Sequence, residues 1–156
     1  MTKTSFRSRK RTIVALVLAV ALALSMGISA FADTVTNYNV TLYDAGTYGT
    51  AGQNVSMGNG TMNGASYDDT TNTLVINVQN MTVGPYTGYI GSLTININGV
   101  DYVGTADVLP NPSTYTFTGV PAAPALNTAY AGSFTIVIPG SSHPGGTIVG
   151  ADVVFS

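Results

Sequence analysis

His143 is the single histidine of the 156-residue sequence and so the only side chain whose ordinary pKa suits it to general base catalysis near neutral pH. It lies within Pro139-Gly-Ser-Ser-His-Pro-Gly-Gly146, with proline and glycine close on either side. The many serines and seven aspartates could complete a Ser-His-Asp triad on paper. Such a triad needs its base clamped by packing and by a further hydrogen-bonded partner, which a glycine-flanked tip does not provide. Asp68-Asp69 is the one adjacent pair of carboxylates, and neighbours on extended backbone point to opposite faces. Glycosidase carboxylates must instead converge across a cleft. With Asn72 the pair could offer oxygen ligands to a weak calcium ion, but EF-hand spacing is missing and an Asp-rich turn is the simpler reading. The chain therefore reads as non-enzymatic.

A more distinctive segment is Gln53-Asn-Val-Ser-Met-Gly-Asn-Gly-Thr-Met62, which combines the Ser56 hydroxyl with the thioethers of Met57 and Met62. Methionine is flexible and polarizable; it lines adaptable apolar pockets as readily as it fills gaps in a core. Ser56, Met57, Met62 and His143 are the candidate ligand-binding residues.

Charge narrows what such residues can meet. Lys3, Arg7, Arg9, Lys10 and Arg11 are all the lysines and arginines in the chain. They precede the apolar run Thr12–Leu24 and a segment ending Ala30-Phe31-Ala32, the pattern of a secretory signal peptide with an Ala-x-Ala cleavage site. The expected division is a signal peptide over 1–32 and a mature domain over 33–156. An uncleaved signal-anchor is the alternative, although the run falls short of the ~20 apolar residues of a spanning helix. Nothing later in the chain is apolar for long enough to span, so no transmembrane segment is expected in the mature chain.

Seven aspartates and no lysine or arginine give that domain a formal charge of -7. It cannot neutralise phosphates, which excludes nucleic acid as a partner. It also lacks a Gly-x-x-x-x-Gly-Lys stretch for phosphate-bearing cofactors. Cysteine is absent, so neither disulfides nor thiolate metal sites contribute. The composition suggests a secreted or cell-surface bacterial protein.

The elements that must position these side chains are strands. Apolar residues alternate at Val40 and Leu42; Leu74, Ile76 and Val78; Leu93, Ile95 and Ile97; Phe134, Ile136 and Ile138; and Val149, Ala151, Val153 and Phe155. Polar residues stand between most of them, which is the period of half-buried antiparallel strands. Asn98-Gly99 between two such runs predicts a type I′ hairpin. Pro110-Asn-Pro112 and Pro121-Ala-Ala-Pro124 predict loops, and Pro139–Gly146 the tip of a final hairpin. The expected fold is an all-β antiparallel Ig-like sandwich of about eight strands.

Tyr38-Asn-Val-Thr-Leu-Tyr43, Val55-Ser-Met-Gly-Asn-Gly60, Ala65 leading into a strand, and Gly88-Tyr-Ile-Gly-Ser-Leu-Thr-Ile95 together resemble the NEAT domains, Ig-like haem-binding modules of Gram-positive cell surfaces. The resemblance covers roughly residues 38–155. It implies iron acquisition, with Ser56-Met57 opening the short 3₁₀ helix that forms the lip over haem. In that family a Tyr-x-x-x-Tyr motif in the last hairpin supplies the iron ligand; aligned on Phe155, its tyrosines fall at Gly145 and Val149. Neither side chain can ligate iron, which leaves the His143 imidazole or the Met57 and Met62 thioethers. Some members bind host proteins instead, so the resemblance allows a haem or a host or cell-surface protein partner. The rival reading is a structural or adhesive module that contacts protein or glycan through Tyr86, Tyr89 and Tyr102.

Overall fold

Period-two alternation over Thr73–Val78 places Leu74, Ile76 and Val78 on one face and Thr73, Val75 and Asn77 on the other, and only the first three are buried. The same rule builds most of the chain. A computed structural model describes residues 34–50, 62–83, 85–140 and 146–156, all within the compact unit Asp33–Ser156. Among the described residues every regular element is a strand: β1 Val35–Tyr38, β2 Val40–Asp44, β3 Met62–Asp68, β4 Thr73–Val78, β5 Met81–Val83, β6 Tyr86–Ile97, β7 Val100–Val103, β8 Thr105–Ala106, β9 Thr114–Thr118, β10 Ala129–Val137 and β11 Thr147–Phe155. None of the described residues forms a helix long and apolar enough to cross a membrane.

All pairings are antiparallel. One sheet runs β1-β3-β4-β9-β8; the other runs β2-β11-β10-β6-β5, with β7 also on β6. The described strands number eleven rather than about eight. The surplus comes from breaks and short pieces: the chain steps from β1 to β2 at Asn39, and β5 and β8 span three and two residues. Thr114–Thr118 pairs along β4, with Tyr115 and Phe117 inward between threonines. Asn98 and Gly99 turn the β6-β7 hairpin with φ of 54° and 83°, as a type I′ turn requires.

The two inner faces share one core. Leu74, Ile76, Leu93, Ile95, Val120 and Phe155 are fully buried within it. Tyr38 and Tyr130 pack edge-on against Phe155, at ring-centroid distances of 5.5 and 5.8 Å. Buried tyrosines find acceptors: Tyr67 donates to the Val120 carbonyl at 2.9 Å and Tyr115 to the Ile90 carbonyl at 3.0 Å. Burial, followed by the charge of Asp107 and the proximity of Tyr89, pushes the Tyr115 hydroxyl up to about 12. It therefore remains a donor at physiological pH.

Candidate functional site

The last hairpin, where the family motif would fall, is built from β10 and β11. Phe134 stands opposite Val149, Thr135 opposite Ile148 and Ile136 opposite Thr147. On its other side β10 pairs with β6, placing Ile136 opposite Ile90 across a register shift. Because facing residues share a face, Ile90, Phe134, Ile136 and Val149 form one apolar wall. Ile90 and Phe134 are buried, whereas Ile136 and Val149 are half-buried against the core. Gly88, also buried in this region, leaves room for its neighbours: a Cβ there would stand 3.2 Å from Met81 Cγ and 3.3 Å from Ile138 Cγ1.

The segment preceding Ser56 is tied to β11 by a contact that sequence reasoning missed. Asp152 is 8% exposed, and its Oδ2 accepts from the Tyr48 backbone N–H at 3.1 Å. The Tyr43 and Tyr48 rings pack with centroids 5.0 Å apart, and Thr47 bonds back to the Asp44 carbonyl through both N–H and hydroxyl. Residues 45–50 are thus held against the second sheet just before the Ser56-Met57 segment. A carboxylate set among Ala151, Val153, Val154 and Phe155 was the available signal, because a charge in so apolar a run needs a partner.

Of the candidate residues, Ser56, Met57 and His143 lie outside the described residues. Met62 is the first residue of β3, opposite Val78, and its side chain is 8% exposed within the core. Val149 presents hydrocarbon at the second tyrosine position; Gly145, the first, lies outside the described residues. The described residues contain no histidine, lysine or arginine, and among them no group of three metal-ligating side chains converges.

Asp68 works within its own turn. Its Oδ1 accepts from the backbone of Thr70 and Thr71 at 2.9 and 3.2 Å, while Oδ2 receives the Thr71 hydroxyl at 2.7 Å. Asp69 accepts from the Thr34 hydroxyl. The Asp68 bonds are those of an Asp-rich turn, and the Asp69 bond ties that turn to the residue before β1. Asp107 does the same for the loop before β9, accepting from Ser113 N–H and Oγ at 2.9 and 2.5 Å and from Thr114 N–H at 3.1 Å. Those bonds, the Ser113 hydroxyl first, lower its pKa to about 2. Of the three tyrosines in the adhesive reading, Tyr86 is 42% exposed and Tyr89 and Tyr102 are half-buried.

No protein-family model matches the sequence, and no curated protein does. Solved structures match the fold. The NEAT5 domain of IsdX2, a B. anthracis hemophore in complex with haem, is 12% identical with a TM-score of 0.52, the likeness spanning 80% of this chain and 96% of that one. A mutant of IsdX2-NEAT5, also in complex with haem, is 12% identical with a TM-score of 0.54, over 80% of this chain and 95% of that one. Strand order, antiparallel pairing and this likeness together give the chain its fold: an all-β, Ig-like sandwich of the NEAT type.

Proposed function

We propose that the mature chain is a secreted or cell-surface, non-catalytic binding module that takes a flat apolar ligand at the β10-β11 hairpin, haem being the leading candidate. The observation that carries this reading is the half-buried wall of Ile136 and Val149 in a fold shared with a haem-bound domain, the NEAT5 domain of IsdX2. The described residues fit the apolar face of such a ring and do not fit an iron bond. Val149 has no donor atom, and no cation among the described residues could receive carboxylates. Apolar area is therefore the contribution of this wall, at about 25 cal/mol per Å² removed from water.

Polar contacts to the ligand would fall to the remaining candidates: Ser56 and Met57 at the lip, and His143 as the only imidazole in the chain. Met62 would support the lip from within β3. Signal-peptide cleavage after Ala32 would release the module to the outside of the cell.

The test is titration of residues 33–156 with haemin and with metal-free protoporphyrin IX, each in competition with albumin. Uptake of both, with a Soret band that Met57→Ala or His143→Ala alters, is the expected result. A band unchanged in both variants removes the site assignment. Failure to take up either ring leaves the second reading, a structural or adhesive module, which exposed Tyr86 favours. A pull-down retaining a partner whose binding ignores haemin would support it.

A further inference from the structure

A separate concavity opens where the chain passes from one sheet to the other. Asn37, Tyr38, Asn39, Met62, Asn63 and Asn77 are among its lining residues, and its volume is about 350 Å³. That lies at the small end of the ~300–1,000 Å³ range of small-molecule sites. Its position follows from two backbone irregularities. At Asn39 the chain leaves β1 for β2, and that residue exchanges both backbone hydrogen bonds with Ser156, at 2.7 and 3.0 Å. In β3, Met62 pairs with Val78 and Ala65 with Ile76, so Asn63 and Gly64 together oppose the single residue Asn77. This is a β-bulge, a device that re-aims side chains at sheet edges. Gly64 holds it with φ of +91°, and a Cβ there would stand 3.1 Å from the Tyr38 carbonyl oxygen.

The bulge and the crossover bring four asparagines from three strands and a junction to one cleft. Each side-chain amide offers two donors and an acceptor with two lone pairs. Among the described residues none of the four side-chain amides has a hydrogen-bond partner, so their donors and acceptors are open to a ligand. Buried Tyr38 and Met62 supply an apolar floor beneath these amides. Among the described residues no lysine, arginine, histidine or aspartate lines the cleft. A ligand that suits it is uncharged, carries many hydroxyls that both donate and accept, and has a C–H face to lay on the floor.

We infer that this cleft is a binding site for a neutral sugar ring of a glycan. The site is independent of the hairpin wall and shares only Met62 with the residues assigned to the apolar ligand. It deepens the adhesive reading by naming a ligand class and a location other than the exposed tyrosines. A carbohydrate site is compatible with either outcome of the haemin titration, so the two proposals fail separately.

The experiment is a titration of the isotopically labelled mature protein with chitotriose, maltotriose and mannotriose, read by NMR on the asparagine side-chain amide signals. Sialyllactose serves as the anionic control, and an uncharged Gly-Ser peptide as the polar non-sugar control. Saturable shifts of the Asn37, Asn39, Asn63 and Asn77 amides with at least one neutral sugar are expected, together with an affinity reduced about tenfold in Asn63→Ala and in Asn77→Ala. Because these two residues stand on different strands, a folding defect in one leaves the other informative; thermal melting identifies which variant is sound. The proposal is overturned if no neutral sugar moves these signals, if both folded variants bind as the parent does, or if the peptide or sialyllactose competes equally.

Discussion

The hairpin wall and the asparagine cleft are two regions of one sandwich, made by opposite means. The wall is regular: Phe134, Ile136 and Val149 follow strand alternation until the core beneath them thins, and exposure grows toward the tip. The cleft is irregular, existing because a bulge and a sheet crossover interrupt the ladder around Gly64 and Asn39. The wall therefore has hydrophobic area, with Thr147 opposite Ile136 as a polar side chain on its face. The cleft has four unengaged amides over little apolar floor. The contrast separates affinity from orientation: area is nondirectional, whereas hydrogen bonds fix a pose.

Removing what both regions share should have the largest effect. Leu74→Ala, in the fully buried core, is expected to cost about 2–5 kcal/mol, read as a fall in the denaturation midpoint. Both binding activities should weaken together; loss of only one would mean that the two regions do not rest on a common core.

Gly64→Ala should divide them. Its φ of +91° and the 3.1 Å approach to the Tyr38 carbonyl predict a cost of about 1–3 kcal/mol, concentrated at the bulge. Sugar-induced amide shifts should diminish while haemin uptake is retained. The reverse division comes from restoring the missing motif. Gly145→Tyr with Val149→Tyr is expected to tighten haemin binding about tenfold, or ~1.4 kcal/mol, and to alter its visible spectrum. Metal-free protoporphyrin should gain nothing comparable, and the asparagine signals should not move. Equal gains for both rings would mean that the tyrosines add only area.

The smallest effect should spare both regions. The Asp107 pKa is lowered from 3.8 to about 2 by bonds from Ser113 and Thr114. Its contribution to stability is thus fully present above about pH 4 and is lost as pH falls through about 2. Thermal midpoints measured across this window should decline more steeply in the parent than in Asp107→Asn. Parallel declines would show that the loop bonds do not depend on the charge.

Alternation made Leu74, Leu93, Phe134 and Val153 legible as core positions, and Asn98-Gly99 legible as a turn, because a two-residue period and a positive-φ requirement act over a few neighbours. The Ser56-Met57 and His143 candidates rest on local pattern too, and they lie outside the described residues. What could not be read locally was which distant residues become neighbours. Asp152 and Tyr48 are 104 positions apart, and the carboxylate's role became visible only as that bond. Asn37 and Asn77 looked like ordinary polar positions on wet strand faces until the register of β3 placed Asn63 between their strands. Thr114–Thr118 has only Tyr115 and Phe117 as apolar residues, too short an alternation to mark a strand locally; pairing with β4 makes it one.

By itself, the sequence determined the strand period, the segregation of every lysine and arginine to the first eleven residues, and the absence of any thiol, since composition and nearest-neighbour spacing carry those properties. Tertiary structure alone decided that Val149 joins an apolar wall, that Met62 turns into the core, and that four scattered asparagines line one cleft. The physical reason is register: a shift of one residue between paired strands reverses every inward and outward face, and no local run of residues encodes its own alignment with a strand far along the chain.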